Sequence, residues 1–278
     1  MAPVNFHLLA LQPSIKAQVF LSKLKSHVDP EARLWFGQIH HWMHEPQLSA
    51  DALLGSGSHV QKWDYLLVST QKLPADLEAD LAAHWSIAAD APDGFPSAKS
   101  KTEDLLKQEA PKLPQGWSAS DVSGLDASTS SQGLNFSLHG PSRPMGVPKS
   151  ETGGSIKDFV KDFGAKHTGP IVMFNLLSYL PEGRSIYFDG YVGGFIKTLG
   201  PLYGGEAIQF GWGVSEWSSQ AQELGQEGGW EDLALVWYPS IWHFAKMIDD
   251  DEYVKLDREF KPICLRDNPL ACCTEIEL

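Results

Sequence analysis

FHLLALQP, from Phe6 to Pro13, is matched by FNLLSYLP, from Phe174 to Pro181, the two sharing Phe, both central leucines and Pro. Each is a short apolar run closed by a proline, the pattern of a strand buried on both faces. The second position of each run is polar, so His7 of the first copy corresponds to Asn175 of the second. A titratable ring facing an amide at equivalent points of two greasy strands is the first indication of an asymmetric site on a repeated scaffold.

Two more landmarks repeat at similar spacing. Trp63 and Trp230 each precede an apolar run, and the Phe36-Gly37 pair recurs as Phe210-Gly211. Near-constant offsets across three separate strands indicate internal duplication, and so long a period means two domains rather than a solenoid. In the first half, residues 4 to 12, 31 to 46 and 63 to 71 read as strands. An amphipathic helix is expected around Ile15 to Lys25, and a second from Pro74 through the alanine-rich stretch to Ala91. Gly133 to Gly140, with Leu134, Phe136 and Leu138 alternating, reads as the fourth strand. Residues 141 to 154 have linker composition. The second half reads as a helix near Ser155 to His167, a strand at 171 to 180, a glycine-weakened helix at 189 to 204, and strands at 206 to 214 and 230 to 239. A long helix with an acidic kink at Asp249 to Glu252 and a last strand at Leu270 to Leu278 complete it.

The expected organisation is therefore α+β. An N-terminal repeat spans 1–140 with an insertion around 93–132, a linker spans 141–154, and a C-terminal repeat spans 155–278. A β-α-β-β-α-β unit gives a split-βαβ, ferredoxin-like sheet with both helices on one face. Two such units can cover each other's open faces. On these elements the chain resembles the dimeric α/β-barrel superfamily, as a tandem pseudo-dimer within one chain. The second half is also similar to the small domain of unknown function family 1330, through VMFNLLSYL, LVWYPS and FAKMIDDDEYV. The first half departs from that pattern: VSTQK replaces the YPS segment and His7 replaces the Asn. The resemblance implies a cavity between sheet and helices. Relatives of this kind include cofactor-free cyclases, dehydratases, isomerases and oxygenases, along with haem-binding branches, so fold alone does not select the chemistry.

Composition narrows the partners. The 278 residues carry 22 basic and 35 acidic side chains, a formal charge of -13. No basic stripe is present to displace counterions from nucleic acid or an anionic membrane, so neither is expected as a partner. The three cysteines crowd at the C-terminal end without metal-type spacing, which together with the lack of a basic leader pattern suggests a reducing, cytoplasmic setting. A monomer with an internal pseudo-dimer, able to dimerise further, is the expected state.

Candidate chemistry rests on few residues. His7 is either a satisfied core histidine or a general base with a pKa near working pH. Asn175 offers an amide to a developing oxyanion. HHWMHE, His40 to Glu45, lacks the HExxH order of a zinc site, so no metal is expected; either a solvated strand end or one pocket histidine, His40 or His41, is left. Tyr65 is a candidate acid. Trp35, Trp63, Trp212, Trp237 and Tyr238 are core residues or, where they line a cavity, contacts for an apolar, ring-bearing substrate. The expected function is a cofactor-independent enzyme, cyclising, dehydrating or isomerising a hydrophobic polyketide- or terpenoid-like intermediate of secondary metabolism, a pericyclic reaction included. The alternatives are a non-catalytic ligand-binding or scaffold protein and a haem or oxygenase branch.

Overall fold

The computed structural model describes residues 3–48, 50–55, 60–92, 97–128, 136–148, 151, 153–217 and 229–278, with the side chains of 215–217 excepted. The strands are β1 (Val4–Leu11), β2 (Arg33–His44), β3 (Tyr65–Ser69), β4 (Leu81–Asp90), β5 (Arg143–Pro144), β6 (Ile171–Tyr179), β7 (Glu206–Trp217), β8 (Asp232–Tyr238), β9 (Leu265–Asp267) and β10 (Leu270–Glu275). Eight of them form a closed barrel in the order β10-β2-β3-β1-β4-β7-β8-β6, because β6 pairs back onto β10. Every neighbouring pair is antiparallel. Each half supplies four strands in the same spatial order: second, third, first, fourth. The halves join at two seams, β2 with β10 and β4 with β7.

An eight-stranded barrel has an interior just wide enough to be filled by side chains. Here Phe6, Leu8, Phe174, Leu176 and six tryptophans (Trp35, Trp42, Trp63, Trp85, Trp230 and Trp237) fill it. The tryptophan surplus is thus mainly core. Phe6 and Phe174, the first residues of the two matched stretches, stack with centroids 6.2 Å apart. The repeated Phe-Gly pairs lie where space is tightest. A Cβ on Gly37 would sit 2.5 Å from the Thr274 carbonyl oxygen at one seam, and a Cβ on Gly211 would sit 2.7 Å from the Phe6 ring near the other.

The helices lie outside: α1 (Ala17–His27), α2 (Ala50–Leu54), α3 (Ala75–Glu78), α4 (Ala98–Leu106), α5 (Ser123–Ala127), α6 (Ile156–Gly164), α7 (Gly183–Ile186), α8 (Gly200–Tyr203), α9 (Ile241–Ile248) and α10 (Asp251–Cys264). Two π-helical turns, Tyr187–Val192 and Phe195–Leu199, connect α7 to α8. Ser155 caps α6 through a reciprocal pair with Asp158.

The structure corrects several expectations. The helix expected after Pro74 shrinks to the four residues of α3, and the fourth strand of the first half is β4, formed from the residues assigned to that helix. Ala83, Trp85, Ile87 and Ala89 alternate inward, but alanine also favours helix, and tertiary pairing with β1 and β7 decides the outcome. Of Gly133 to Gly140, residues 136–140 form turns, and 133–135 lie outside the described residues. The expected linker is docked: Arg143 and Pro144 pair with Trp42 and His41, and Arg143 Nε donates to Glu45 at 2.6 Å. The acidic kink does separate α9 from α10, but Asp249 is buried rather than solvated and accepts from Ser128. Among the described residues no helix is long and apolar enough to cross a membrane.

Candidate functional site

The outer faces of the two half-barrels differ. In the first half, Leu9, Tyr65 and Leu67 pack directly under Phe20 and Leu24 of α1. Between β3 and β4 only α3 intervenes, so little stands away from the sheet. In the second half the connections are longer: α7, the π-helical turns and α8 follow β6, and α9 and α10 follow β8. Between them and the sheet lies a cavity of about 570 Å³. Its floor is read off with strand period two: Met173, Asn175 and Leu177 of β6 beside Ala234, Val236 and Tyr238 of β8. Asn175 pairs with Ala234, whereas His7 pairs with Leu67 at the equivalent point of the first half. The small Ala234 side chain leaves room over the second-half floor, and Leu67 fills it in the first. Tyr187, Tyr191 and Phe195 form part of the roof, and Lys101 and Leu105 of α4, with Pro111 beyond it, reach its rim.

One polar end of this cavity is supplied by α10 through Tyr253 and Lys261. Tyr253, Asp257 and Lys261 recur every four residues and so share one helix face. The Lys261 ammonium lies 2.6 Å from Asp257 Oδ1, off the hydrogen-bond direction, and donates to the Tyr253 hydroxyl at 3.3 Å. It also sits 3.6 Å above the centre of the Phe136 ring, a cation–π arrangement. The Tyr191 hydroxyl lies 3.4 Å from that of Tyr253. Burial first, with the Asp257 charge also contributing, holds both hydroxyls far above their ordinary pKa, so they stay protonated. Sequence inspection missed this group, although the Tyr-x₃-Asp-x₃-Lys spacing was there to find it.

Of the sequence-predicted residues, Asn175 and Tyr238 line the cavity. The Asn175 amide N–H groups point to the carbonyls of Met173 (3.1 Å) and Ala234 (3.5 Å), which leaves its side-chain oxygen as the group it can offer. Tyr238 directs its hydroxyl to Met247 Sδ at 3.4 Å. His7, His40, His41 and Tyr65 are not among the residues lining the cavity. His7 is buried on the outer face of β1, its Nδ1 3.0 Å from Nε2 of His84, which in turn approaches Glu78. His41 stacks on Phe159 of α6, centroids 4.0 Å apart, and His40 bonds to Thr274 Oγ1 at 2.8 Å. Tyr65 stacks on Phe20 under α1. Trp63 is interior and donates to the Leu53 carbonyl. Trp35 and Trp237 border a second cavity, of about 530 Å³, beside α4. Trp212 is half-exposed and meets Phe188 edge-on behind the first cavity's rim.

The buried histidines have a consequence for stability. Burial, reinforced by His84, lowers His7 from 6.5 to about 3; the Gln71 carbonyl opposes this weakly. Burial, with His40 adding to it, lowers His41 to about 3, and burial with His167 lowers His40 to about 4. Above pH 6.5 folded and unfolded chains both hold these rings neutral. Below it the unfolded chain takes up protons that the native fold refuses. Stability is therefore expected to fall from about pH 6.5 towards pH 3 to 4, by up to ~1.4 kcal/mol per pH unit for each ring. Urea unfolding at pH 7.5, 6 and 5 measures it, and His41→Gln should flatten the slope. A pH-independent midpoint across that range would show that the rings titrate alike in both states.

Among the described residues no group of three or more His, Cys, Asp or Glu is placed to hold a metal. Haem does not fit the cavity residues either. Neither histidine nor cysteine lines it, Met247 is engaged by Tyr238, and the tyrosines resist ionisation.

No protein-family model matches the chain, so the likeness of its second half to family 1330 rests on the quoted motifs. No curated protein matches it. Among solved structures, it is similar to a protein of unknown function from Rhodopseudomonas palustris. The identity is 21% over 44% of this chain and 95% of that one, with a TM-score of 0.34. The methylated form of that protein gives 20% identity over 44% and 92%, at the same TM-score of 0.34. A protein provisionally named a monooxygenase, from Lactobacillus acidophilus, is similar at 5% identity over 98% of this chain and 93% of that one, TM-score 0.41. Nothing about activity follows from similarities this low.

Proposed function

We propose that this chain is a small-molecule-binding barrel whose second half receives a hydrophobic, ring- or polyene-bearing ligand, and that it acts on that ligand as an enzyme. The observation that carries the reading is the cavity of about 570 Å³ between sheet and helices, walled mainly by aromatic and aliphatic side chains, with Tyr253 and Lys261 of α10 at one end and Lys101, Gln108, Glu109 and Glu206 among its other polar lining residues. Ligand sites are concave, mostly apolar and of this size, with a small number of placed polar groups. The proposed reaction class is an isomerisation, cyclisation or dehydration in which the walls hold one reactive conformer. The polar groups at α10 bind and orient the reacting oxygen. The proposed architecture is a tandem pair of ferredoxin-like repeats, which accounts for the common strand order of the two halves.

N-Phenylnaphthylamine, a neutral lipophilic fluorophore, tests the binding site. Wild-type protein is expected to enhance its fluorescence saturably. Ala234→Trp, which fills the space above Asn175, should weaken binding at least about tenfold. Unchanged affinity in that variant would remove the cavity from consideration. Mass spectrometry of ligand co-purifying from the native source then identifies substrate or product.

A further inference from the structure

The hydrogen-bond accounting at the α10 end leaves one proton over. Tyr191 and Tyr253 are buried, 8% and 3% exposed, and both line the cavity. Each phenol has one hydrogen to give. In the arrangement seen, Tyr253 oxygen accepts from Tyr191 at 3.4 Å and from Lys261 at 3.3 Å, and no acceptor among the described residues is recorded for its own hydrogen. Reversing the Tyr–Tyr bond only moves the spare hydrogen to Tyr191. Neither phenol is placed to hydrogen-bond Asp257, whose carboxylate lies against the Lys261 ammonium. A buried donor without an acceptor costs free energy that a ligand can recover.

We infer, building on the proposed binding reading, that the ligand is a carbonyl compound whose oxygen accepts the spare phenolic hydrogen of the Tyr191–Tyr253 pair at the end of the cavity closed by Lys261. Three features select a carbonyl. The acceptor must enter an apolar, aromatic-walled space, so a strongly hydrated carboxylate or phosphate is disfavoured. The group offered is a neutral O–H rather than a free charge, which suits a ketone or enone. Lys261 donating to the Tyr253 oxygen polarises that O–H and strengthens it as a donor. The same donor would stabilise negative charge developing on that oxygen during isomerisation or cyclisation. Asn175, its N–H groups committed to backbone, contributes an acceptor rather than a second donor.

Acetylnaphthalene and ethylnaphthalene differ by one carbonyl oxygen at nearly constant shape, and both suit a cavity of this size. Titrated against the full chain by tryptophan fluorescence, the wild type is expected to bind the ketone at least about tenfold more tightly, after correction for the two compounds' partitioning out of water, as one net hydrogen bond supplies. Tyr191→Phe/Tyr253→Phe should bring the two affinities together while leaving ethylnaphthalene binding intact, which also reports that the cavity is still folded. Equal affinity for both probes in the wild type would overturn the carbonyl assignment and leave the binding site standing. Binding of neither probe by the wild type would overturn the binding reading and the assignment with it. A ketone preference surviving in the double variant would move the recognition to another group and also overturn the assignment.

Discussion

Phe174→Ala is expected to destabilise the protein by about 3 to 5 kcal/mol, and Phe6→Ala by a similar amount. Both rings are 0% exposed and stand in the barrel interior, where they stack on each other. Truncating either removes a fully buried aromatic and leaves a void that strands held on both sides cannot collapse to fill. Because the rings touch, the double variant should cost less or more than the sum by about 0.5 to 1.5 kcal/mol. Chemical denaturation at constant m value measures all three. A loss below about 1 kcal/mol for either single variant would mean that the halves do not share one core.

Lys261→Met should cost a comparable amount, about 3 to 5 kcal/mol, for an electrostatic reason. The side chains of Lys261 and Asp257 are 12% and 11% exposed, so removing the ammonium leaves a carboxylate with little water and no partner. The double replacement Lys261→Met/Asp257→Leu removes both charges and should recover most of the loss, since apolar substitutes for buried pairs are often well tolerated. If the single variant instead loses less than about 1 kcal/mol, the pair behaves as a screened surface bridge.

The matched FHLLALQP and FNLLSYLP stretches were legible because burial on both faces leaves an unbroken apolar run, and pairing with two neighbours each explains that run physically. The fourth strand of the first half was hidden because Ala83, Ala88 and Ala89 suit either period, and no sequence feature says that β7 is waiting to pair with it. The placement of the cavity was equally hidden. It depends on Ala234 against Leu67 and on the space enclosed by π-helical turns, whose glycines read as a weak helix. His7 drew attention as the odd residue in a greasy strand, yet its partner, His84, lies in the very segment whose secondary structure was misassigned. Tyr253, Asp257 and Lys261 were visible as a four-residue repeat on an expected helix, but a solvated face shows the same spacing.

The barrel closes only when β10 inserts between β2 and β6, and β10 follows every other barrel strand in the sequence. Until it is made, the edge of β2 from Gly37 to His44 lacks its partner, with Ile39 and Trp42 along it. Such an edge is a template for joining another chain. During synthesis the first half therefore emerges as an open sheet that must wait for the second, and the non-local pairing that ends the wait is slow to find. A supply of β10 as a separate peptide would be captured by that edge, so the same closure that gives each of the eight barrel strands two neighbours makes the nascent form prone to exchange strands between copies.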